Sequence, residues 1–226
     1  MRKIGLVGGI SWVSTIDYYR FINEGVNERL GGLNFAECLI YSLNFGDVQN
    51  KTWEGSFDLL LAACESLKHS GVEAIVLCAN TAHLFADQLQ EEIALPIIHI
   101  GTETAKAINA IGIKKVALLG TVFTMEKEFY IKKLEDNGLN VLVPSKKETR
   151  DYIQFTLKEE LGRGLILVET RAQYIKMIND LIADGAEGII LGCTEIPMLI
   201  SQADFDVPVF DTTKIHCKSI VDFILS

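Results

Sequence analysis

The features that this sequence lacks exclude several classes of protein. No apolar run approaches the roughly 18 residues that a membrane-spanning helix requires, although 49% of the 226 residues are hydrophobic. Lysine and arginine form no cluster, and 30 acidic against 21 basic residues give a net charge of −9, which argues against nucleic-acid binding. The five cysteines include no Cys-x-x-Cys pair, so neither a disulfide framework nor a zinc site is indicated.

The first residues also lack the pattern of a secretory signal. A short strand-like segment, residues 4–7, follows Met1-Arg2-Lys3 and runs into Gly8-Gly9, with no longer apolar region or cleavage site. We therefore expect a cytoplasmic protein. Its acidity still permits an anionic small substrate, because one or two local cations or a helix N-terminus can bind a carboxylate.

Strand-like and helix-like segments alternate along the chain, which predicts an α/β fold with parallel sheets. The second half also repeats the first. Residues 185–191 (GAEGIIL) match residues 71–77 (GVEAIVL) position for position, and residues 115–120 (KVALLG) match residues 3–8 (KIGLVG). Matching order and spacing indicate a duplicated α/β unit.

The repeat predicts two similar lobes. We expect residues 1–100 plus 211–226 to form the first lobe and residues 101–210 to form the second. If the lobes face each other, their strand ends border one cleft, and the site should lie in that cleft between domains.

Two strand ends carry residues suited to a site. Gly8-Gly9-Ile10-Ser11 predicts a tight turn that brings backbone close to a ligand or an anion, although a plain βα turn has the same sequence. The turn lacks the full G-x-G-x-x-G spacing, so it is a weak signal for a nucleotide. The apolar residues 188–191 lead into Gly192-Cys193-Thr194-Glu195, where a buried strand ends in a thiol, a hydroxyl and a carboxylate.

A thiol beside a helix N-terminus can have a lowered pKa and act as a base or nucleophile. Two such groups on opposite sides of a planar carbanion could remove a proton from one face and return it to the other, which is racemisation without a cofactor. The developing enediolate would need hydrogen-bond donors. Side chains placed by the sequence to supply them are Asn80, Thr81, Thr121, Thr124 and Thr194.

Several short motifs together resemble the cofactor-independent aspartate/glutamate racemase superfamily, in its amino-acid racemase branch. They are GLVGGISW at residues 5–12, NTAH at 80–83, LGT at 119–121, GCTEI at 192–196 and FDT at 210–212. The resemblance implies two Rossmann-like lobes related by pseudo-twofold symmetry, an interdomain site and frequent dimerisation. It also implies an amino-acid or dicarboxylic-acid substrate, with no PLP and no metal ion.

The resemblance assigns the second catalytic cysteine to Cys193, but the first catalytic position is occupied by Ala79. The internal repeat gives the same alignment, with Cys78 opposite Gly192 and Ala79 opposite Cys193. Because successive strand side chains point to opposite faces, we expect Cys78 to point away from the cleft as a small buried hydrophobe, unless the turn has already begun.

Further site residues follow from the resemblance. It implies substrate contacts from Ile10, Asn80, Thr81, Thr121 and Thr194. Lys51 lies where aspartate racemases place an arginine for the distal carboxylate, but a lysine gives only a point charge, and an ordinary surface lysine is the alternative. His83 and Glu195 are interpreted as groups that orient or tune their neighbours, or else as helix caps. His99 and His216 suggest only structural roles.

The alanine at position 79 leaves three functions open. The first, which we favour, is a racemase for aspartate or glutamate in which water or Cys78 serves the missing face. The second is an enzyme like the arylmalonate decarboxylases, in which Cys193 alone protonates an enediolate. The third is a non-catalytic binder of small acids on a racemase scaffold.

Overall fold

The structure, a computed structural model, describes all 226 residues. It divides into two compact units, one formed by Met1–Ile100 with His216–Ser226 and the other by Gly101–Ile215. None of its helices combines the length and apolar character that crossing a membrane would require.

The first unit is built on a three-stranded parallel sheet in the order β2-β1-β3. The strands are β1 (Ile4–Gly8), β2 (Cys38–Ser42) and β3 (Ala74–Leu77). The helices within residues 1–99 are α1 (Trp12–Leu30), α2 (Phe45–Lys51), α3 (Phe57–His69) and α4 (Ala86–Ile93). Every residue of β1 and β3 is buried, whereas four of the five residues of the edge strand β2 are exposed.

Two separate cores cover the two faces of this sheet. On one face Leu6 and Val76 pack with Tyr18 and Ile22 of α1 and with Ile220 of the C-terminal helix α10 (Thr212–Leu225). On the other face, the alternate strand residues Val7, Ile75 and Leu77 pack against α3 and α4. The helix residues in this core include Leu60 and Cys64 of α3 and Leu89 of α4. The burial of both faces explains why β1 and β3 are continuous apolar runs.

The second unit has a four-stranded parallel sheet in the order β5-β4-β6-β7. Its strands are β4 (Lys115–Gly120), β5 (Asn140–Leu142), β6 (Gly188–Gly192) and β7 (Val209–Asp211). Its helices are α5 (Ile100–Asn109), α6 (Val122–Glu126), α7 (Glu128–Glu135), α8 (Lys147–Glu159) and α9 (Val168–Ala183). The predicted α/β fold with two parallel sheets is confirmed.

Two segments differ from the prediction. Residues 95–100 read as a strand, but only Ile97 bridges to Ile75, and α5 already begins at Ile100. Pro96 has no N–H to donate, and the Ile97 N–H donates to the Gln90 side chain at 2.8 Å, so the ladder does not extend.

The second difference concerns residues 44–54, which the sequence predicts to be a polar loop. This segment contains α2, whose first turn is capped by Asn44: its side-chain oxygen accepts a hydrogen bond from the Gly46 N–H at 3.2 Å. Lys51 is therefore the last residue of a short helix rather than part of a loop.

Candidate active site

Cys193 lies at the end of β6, immediately after the last strand residue, Gly192. Leu191 is buried, whereas Cys193 is partly exposed. Gly192 has no room for a side chain, because a Cβ there would lie 2.9 Å from the Leu119 carbonyl oxygen. The Thr212 hydroxyl donates to the Leu191 carbonyl at 2.8 Å and fixes this strand end. The first position that can carry a reactive side chain is therefore residue 193.

The Cys193 thiol donates a hydrogen bond to Oε2 of Glu195 at 2.9 Å, and the Thr194 hydroxyl donates to the same oxygen at 2.8 Å. Burial and the adjacent Glu195 carboxylate raise the pKa of Cys193 well above its usual range, against the opposing effect of backbone N–H groups. The lowered pKa that a helix N-terminus can give a thiol is therefore not found at Cys193. The group closest to the sulfur is an anion, and the structure favours the protonated thiol.

Thr121 stands beside Cys193 in this unit, because the strand residues before them, Gly120 and Gly192, are paired partners. Thr121 is partly exposed and caps α6, accepting from the Thr124 N–H at 3.2 Å. Thr124 is fully buried, with its hydroxyl 3.1 Å from that of Thr121. Thr121 and Thr194 are thus both partly exposed, while the buried Thr124 holds the Thr121 hydroxyl.

Sequence reasoning missed two residues that hold these strand ends. Gln154 of α8 accepts a hydrogen bond from the Val122 N–H at 2.9 Å, at the start of α6. Thr212 was noted only as part of a motif, yet it makes the bond to Leu191 described above. A glutamine within a helix gives no signal in the sequence that its side chain reaches another helix.

In the first unit, β1 ends in the turn that contains Gly9 and Ile10. Gly9 has φ +83°, and a Cβ there would lie 2.1 Å from the Leu43 carbonyl oxygen, so only glycine fits. The Gly9 N–H donates to the Thr15 hydroxyl at 2.8 Å. Ile10 is 5% exposed and packs in the core on the α3 side of the sheet.

Cys78 and Ala79 lie on opposite sides of the first sheet. Cys78 is 1% exposed and packs in the core on the α1 side, and burial raises the pKa of its thiol. Its carbonyl accepts a hydrogen bond from the Ser14 hydroxyl at 3.0 Å. Ala79 belongs to the α3-side core together with Ile10. A side chain at position 79, and not the thiol of Cys78, therefore shares a face with the Gly9 turn.

Asn80, Thr81 and His83 follow Ala79, with Thr81 and His83 in a short 3-10 helix, Thr81–Phe85. All three are buried. Nδ1 of His83 lies 2.9 Å from the Ala79 carbonyl oxygen; because a carbonyl only accepts, this nitrogen carries the proton. This hydrogen bond ties the His83 ring to the backbone at position 79.

His83 is also part of a buried histidine cluster that the sequence did not predict. Its ring centroid lies 4.8 Å from that of His99 and 5.5 Å from that of His216. Nε2 of His216 donates to the Ile98 carbonyl at 2.7 Å, which leaves Nδ1 to accept from the Tyr18 hydroxyl at 2.8 Å. Burial lowers the pKa of His83 to about 4 and that of His216 to about 3, so both rings are neutral near pH 7.

Lys51 lies apart from these contacts. It is exposed at the end of α2 and forms no ion pair within the chain. Its ammonium group is therefore available to a ligand, but nothing in the first unit holds it in one orientation.

The family profile described as Asp/Glu/hydantoin racemase matches residues 7–220. The chain belongs to this family. Two solved structures resemble it over the full length of both chains. One is an Asp/Glu racemase candidate from Yersinia pestis, with 43% identity and a TM-score of 0.94. The other is an aspartate racemase homologue from Pyrococcus horikoshii OT3, with 37% identity and a TM-score of 0.87.

A curated relative extends the comparison within the Asp/Glu/hydantoin racemase family. The broad specificity amino-acid racemase RacX of Bacillus subtilis (strain 168) is 28% identical over 163 residues. That alignment covers 71% of this chain and 68% of RacX.

Proposed function

We propose that this protein is a cytoplasmic, cofactor-independent amino-acid racemase that acts on aspartate or glutamate. The observation that carries the proposal is the hydrogen-bonded pair at the end of β6: a partly exposed thiol, Cys193, whose proton lies on a 2.9 Å bond to Glu195. Membership of the racemase family supports the reaction class.

Cys193, hydrogen-bonded to Glu195, can act towards the substrate either as an acid or as a base. With its proton in place, Cys193 acts as the acid that protonates one face of a carbanion, and the resulting thiolate is the base of the reverse step. When Cys193 must act as the base first, the thiol proton moves to Glu195 and the thiolate then removes the α-proton of the substrate. Glu195 thus positions and tunes the thiol, while the reacting hydrogen is exchanged at sulfur.

Negative charge builds on the substrate carboxylate as the α-proton leaves. Stabilising that enediolate requires donors that are already in place. We assign this role to the hydroxyls of Thr121 and Thr194, which are partly exposed next to Cys193. Contacts from Ile10, Asn80 and Thr81 belong to the same proposal, as does Lys51 for the distal carboxylate of an acidic substrate.

The first catalytic position of the family, which would serve the other face of the α-carbon, carries no acid in this chain. Ala79 has no proton to transfer, and the Cys78 thiol is buried on the other side of the sheet. We therefore propose that water makes the second proton transfer at this face. Such a racemase would exchange the α-hydrogen faster than it inverts the configuration, because only the Cys193 face has a positioned group.

The test is exchange of the α-hydrogen in D2O, followed by proton NMR with each enantiomer of aspartate and glutamate. We expect deuterium incorporation that Cys193→Ala lowers by about 10²–10⁴-fold, the usual contribution of one acid or base. Cys217→Ala is the matched control, because this cysteine is buried in the α1-side core and should leave exchange unchanged. Absence of exchange with every acidic and neutral amino acid would refute the proposal.

A second candidate follows from the same protonated thiol. A single acid facing an enediolate suffices for decarboxylation of an arylmalonate-type acid, with release of carbon dioxide and formation of one product enantiomer. A panel of disubstituted malonates tests this, and failure across the panel removes the candidate. A non-catalytic binder would instead show ligand-dependent thermal stabilisation with neither exchange nor carbon dioxide release.

A further inference from the structure

A cavity in the second unit lies between α8 and α9. Its volume is about 380 Å³, near the lower end of the range of about 300–1,000 Å³ that ligand pockets occupy. All of its lining residues fall within residues 144–184, in the turn after β5, along the two helices and just after α9. Cys193, Thr121 and Thr194 do not line it. A small ligand in this cavity would therefore lie apart from the candidate active site.

The floor and one wall of the cavity are ordered by contacts within the unit. Tyr152 of α8 and Met177 of α9 pack against the buried core to which Leu181 belongs, and all three line the cavity. The turn after β5 is held by Arg150, whose Nη1 donates to the Pro144 carbonyl at 2.7 Å. The cavity is therefore formed without a ligand, and its floor suits an apolar group.

Charged side chains of both signs border this floor. Two are the lysines Lys146 and Lys176, and three are the acids Glu148, Asp180 and Asp184. All five are exposed, and none forms an ion pair within the chain. The three carboxylates do not converge as metal ligands do. Each charge is therefore available separately to a ligand.

A matched pair of residues outside the cavity behaves differently. Lys147 and Asp151 lie four residues apart on α8 and pair at 2.6 Å, as this spacing on a helix allows. Lys176 and Asp180 lie four residues apart on α9 in the same order, yet they are not paired. Only the second pair lines the cavity. The two charges on α9 are thus separate where a ligand could take a place between them.

The uncharged polar groups of the lining are unpartnered as well. The side chains of Thr149, Tyr152 and Gln173 make no hydrogen bond within the chain. A hydroxyl, a phenol and an amide can each donate and accept, so they supply further contacts to the polar part of a ligand. Together with the free charges, they indicate a ligand that carries polar groups of more than one kind.

We propose that this cavity binds a free α-amino acid with an apolar side chain, as a zwitterion and without reacting with it. The ligand side chain lies on Tyr152, Met177 and Leu181. Its carboxylate is bound by Lys176 and its ammonium group by Asp180. A rise of 1.5 Å per residue sets these two positions about 6 Å apart along α9, so a ligand with adjacent opposite charges can bridge them.

The charge balance of the cavity selects against acidic amino acids. Its carboxylates outnumber its lysines by three to two. The second carboxylate of aspartate or glutamate would meet this excess of like charge, whereas a neutral side chain would not. The ligand of the cavity therefore differs in class from the substrate proposed for Cys193.

The first test is a titration of the isotope-labelled protein with L-phenylalanine, followed by amide chemical shifts in NMR. We expect saturable shifts in residues 144–152 and 173–184, with a Kd of about 1 mM or below, as for a ligand of this size. Phenylpropionate lacks the ammonium group and phenylethylamine lacks the carboxylate, so each should bind about tenfold more weakly or worse. L-Aspartate should leave these amides unchanged.

Variants of the two charges on α9 form the second test. Lys176→Gln and Asp180→Asn each remove one charged partner and should each weaken phenylalanine binding about tenfold or more. Lys147→Gln is the matched control, because Lys147 pairs with Asp151 outside the cavity, and its Kd should not change. All three substitutions are at exposed positions, so the circular dichroism spectrum should stay the same. Binding should also persist in Cys193→Ala, whether or not the protein exchanges the α-hydrogen of aspartate.

Three outcomes would overturn the proposal. They are no saturable shift in either segment at tens of millimolar phenylalanine, equal binding of a ligand that lacks one of the two charges, and a Kd that both α9 variants leave unchanged. Shifts confined to residues around Cys193 would place phenylalanine in the candidate active site and would equally contradict a ligand in the cavity.

Discussion

The two units differ in chemistry at the ends of their repeated strands, β3 and β6. In the second unit, Gly192 passes so close to the Leu119 carbonyl that only glycine fits, and the thiol follows at Cys193, partly exposed beside Glu195. In the first unit the cysteine comes one residue earlier, so Cys78 lies in the α1-side core and Ala79 takes the position that matches Cys193. A shift of one residue along a strand is enough to move a thiol from a partly exposed strand end into a core.

The polar groups near the two strand ends differ too. The second unit surrounds its cysteine with a carboxylate and hydroxyls. The first unit instead buries neutral rings, and all four histidines of the chain, His69, His83, His99 and His216, belong to it. The first unit should therefore respond to acid, and the second to changes at its thiol.

The largest effect is expected from restoring the missing thiol. Ala79→Cys gives the first unit the group that the second already has, and one positioned acid or base contributes about 10²–10⁴-fold. We expect racemisation of aspartate or glutamate, followed by polarimetry, to increase by at least about 100-fold. Cys78→Ala is the matched control and should leave the rate unchanged. If Ala79→Cys brings no gain, the scaffold performs a different reaction.

Acid should destabilise the first unit before the second. His83 and His216 have pKa values of about 4 and about 3 in the folded chain, against 6.5 for an ordinary histidine. Because the unfolded chain binds these protons first, their contribution to stability is complete above about pH 6.5 and is lost as the pH falls towards the folded values. By pH 5 the loss is roughly 2 kcal/mol for each histidine.

Hydrogen–deuterium exchange at pH 7 and pH 5 would check this response. Amide protection should fall in Met1–Ile100 and change less in Gly101–Ile215. A His216→Asn variant should show a weaker pH dependence of the free energy of unfolding. Equal loss of protection in both units would contradict the role given to the buried rings.

A smaller effect should separate the two aligned positions 78 and 192. Gly192→Ala puts a Cβ 2.9 Å from a backbone oxygen, and such overpacking costs about 1–3 kcal/mol of unfolding free energy. Cys78→Ala only removes a sulfur atom from the α1-side core, and we expect it to cost less, about 1 kcal/mol. Urea unfolding of both variants measures the difference. A neutral Gly192→Ala would show that the strand end can move.

The smallest effect concerns the tuning of Cys193. Glu195→Gln removes the carboxylate that, after burial, contributes most to raising the thiol pKa, so the pKa should fall. Alkylation by iodoacetamide, followed against pH, should become severalfold faster near pH 8. Asp204→Asn removes a carboxylate that pairs with Arg171 and not with the thiol, so it should not alter the rate. Alkylation of Glu195→Gln that is unchanged or slower would contradict a carboxylate that raises the thiol pKa.

Much of the fold could be predicted because burial determines the sequence pattern. Strands covered on both faces, such as β1 and β3, must be apolar throughout, and the duplication is visible because both copies meet the same requirement. That repeat aligns Ala79 with Cys193, in agreement with the family resemblance. Residues 44–54 were predicted less well, because one capping side chain, Asn44, turned a polar segment into a helix.

The residue types at each strand end can be read from the sequence, and so can the match of one thiol, Cys193, to the family's Gly-Cys-Thr motif. Tertiary structure decided their chemical state. The raised pKa of Cys193 depends on the rotamer that brings Glu195 within 2.9 Å, and the low pKa of His216 depends on rings from distant segments meeting in one core. Such properties arise from distances and loss of solvent, which a linear sequence does not specify.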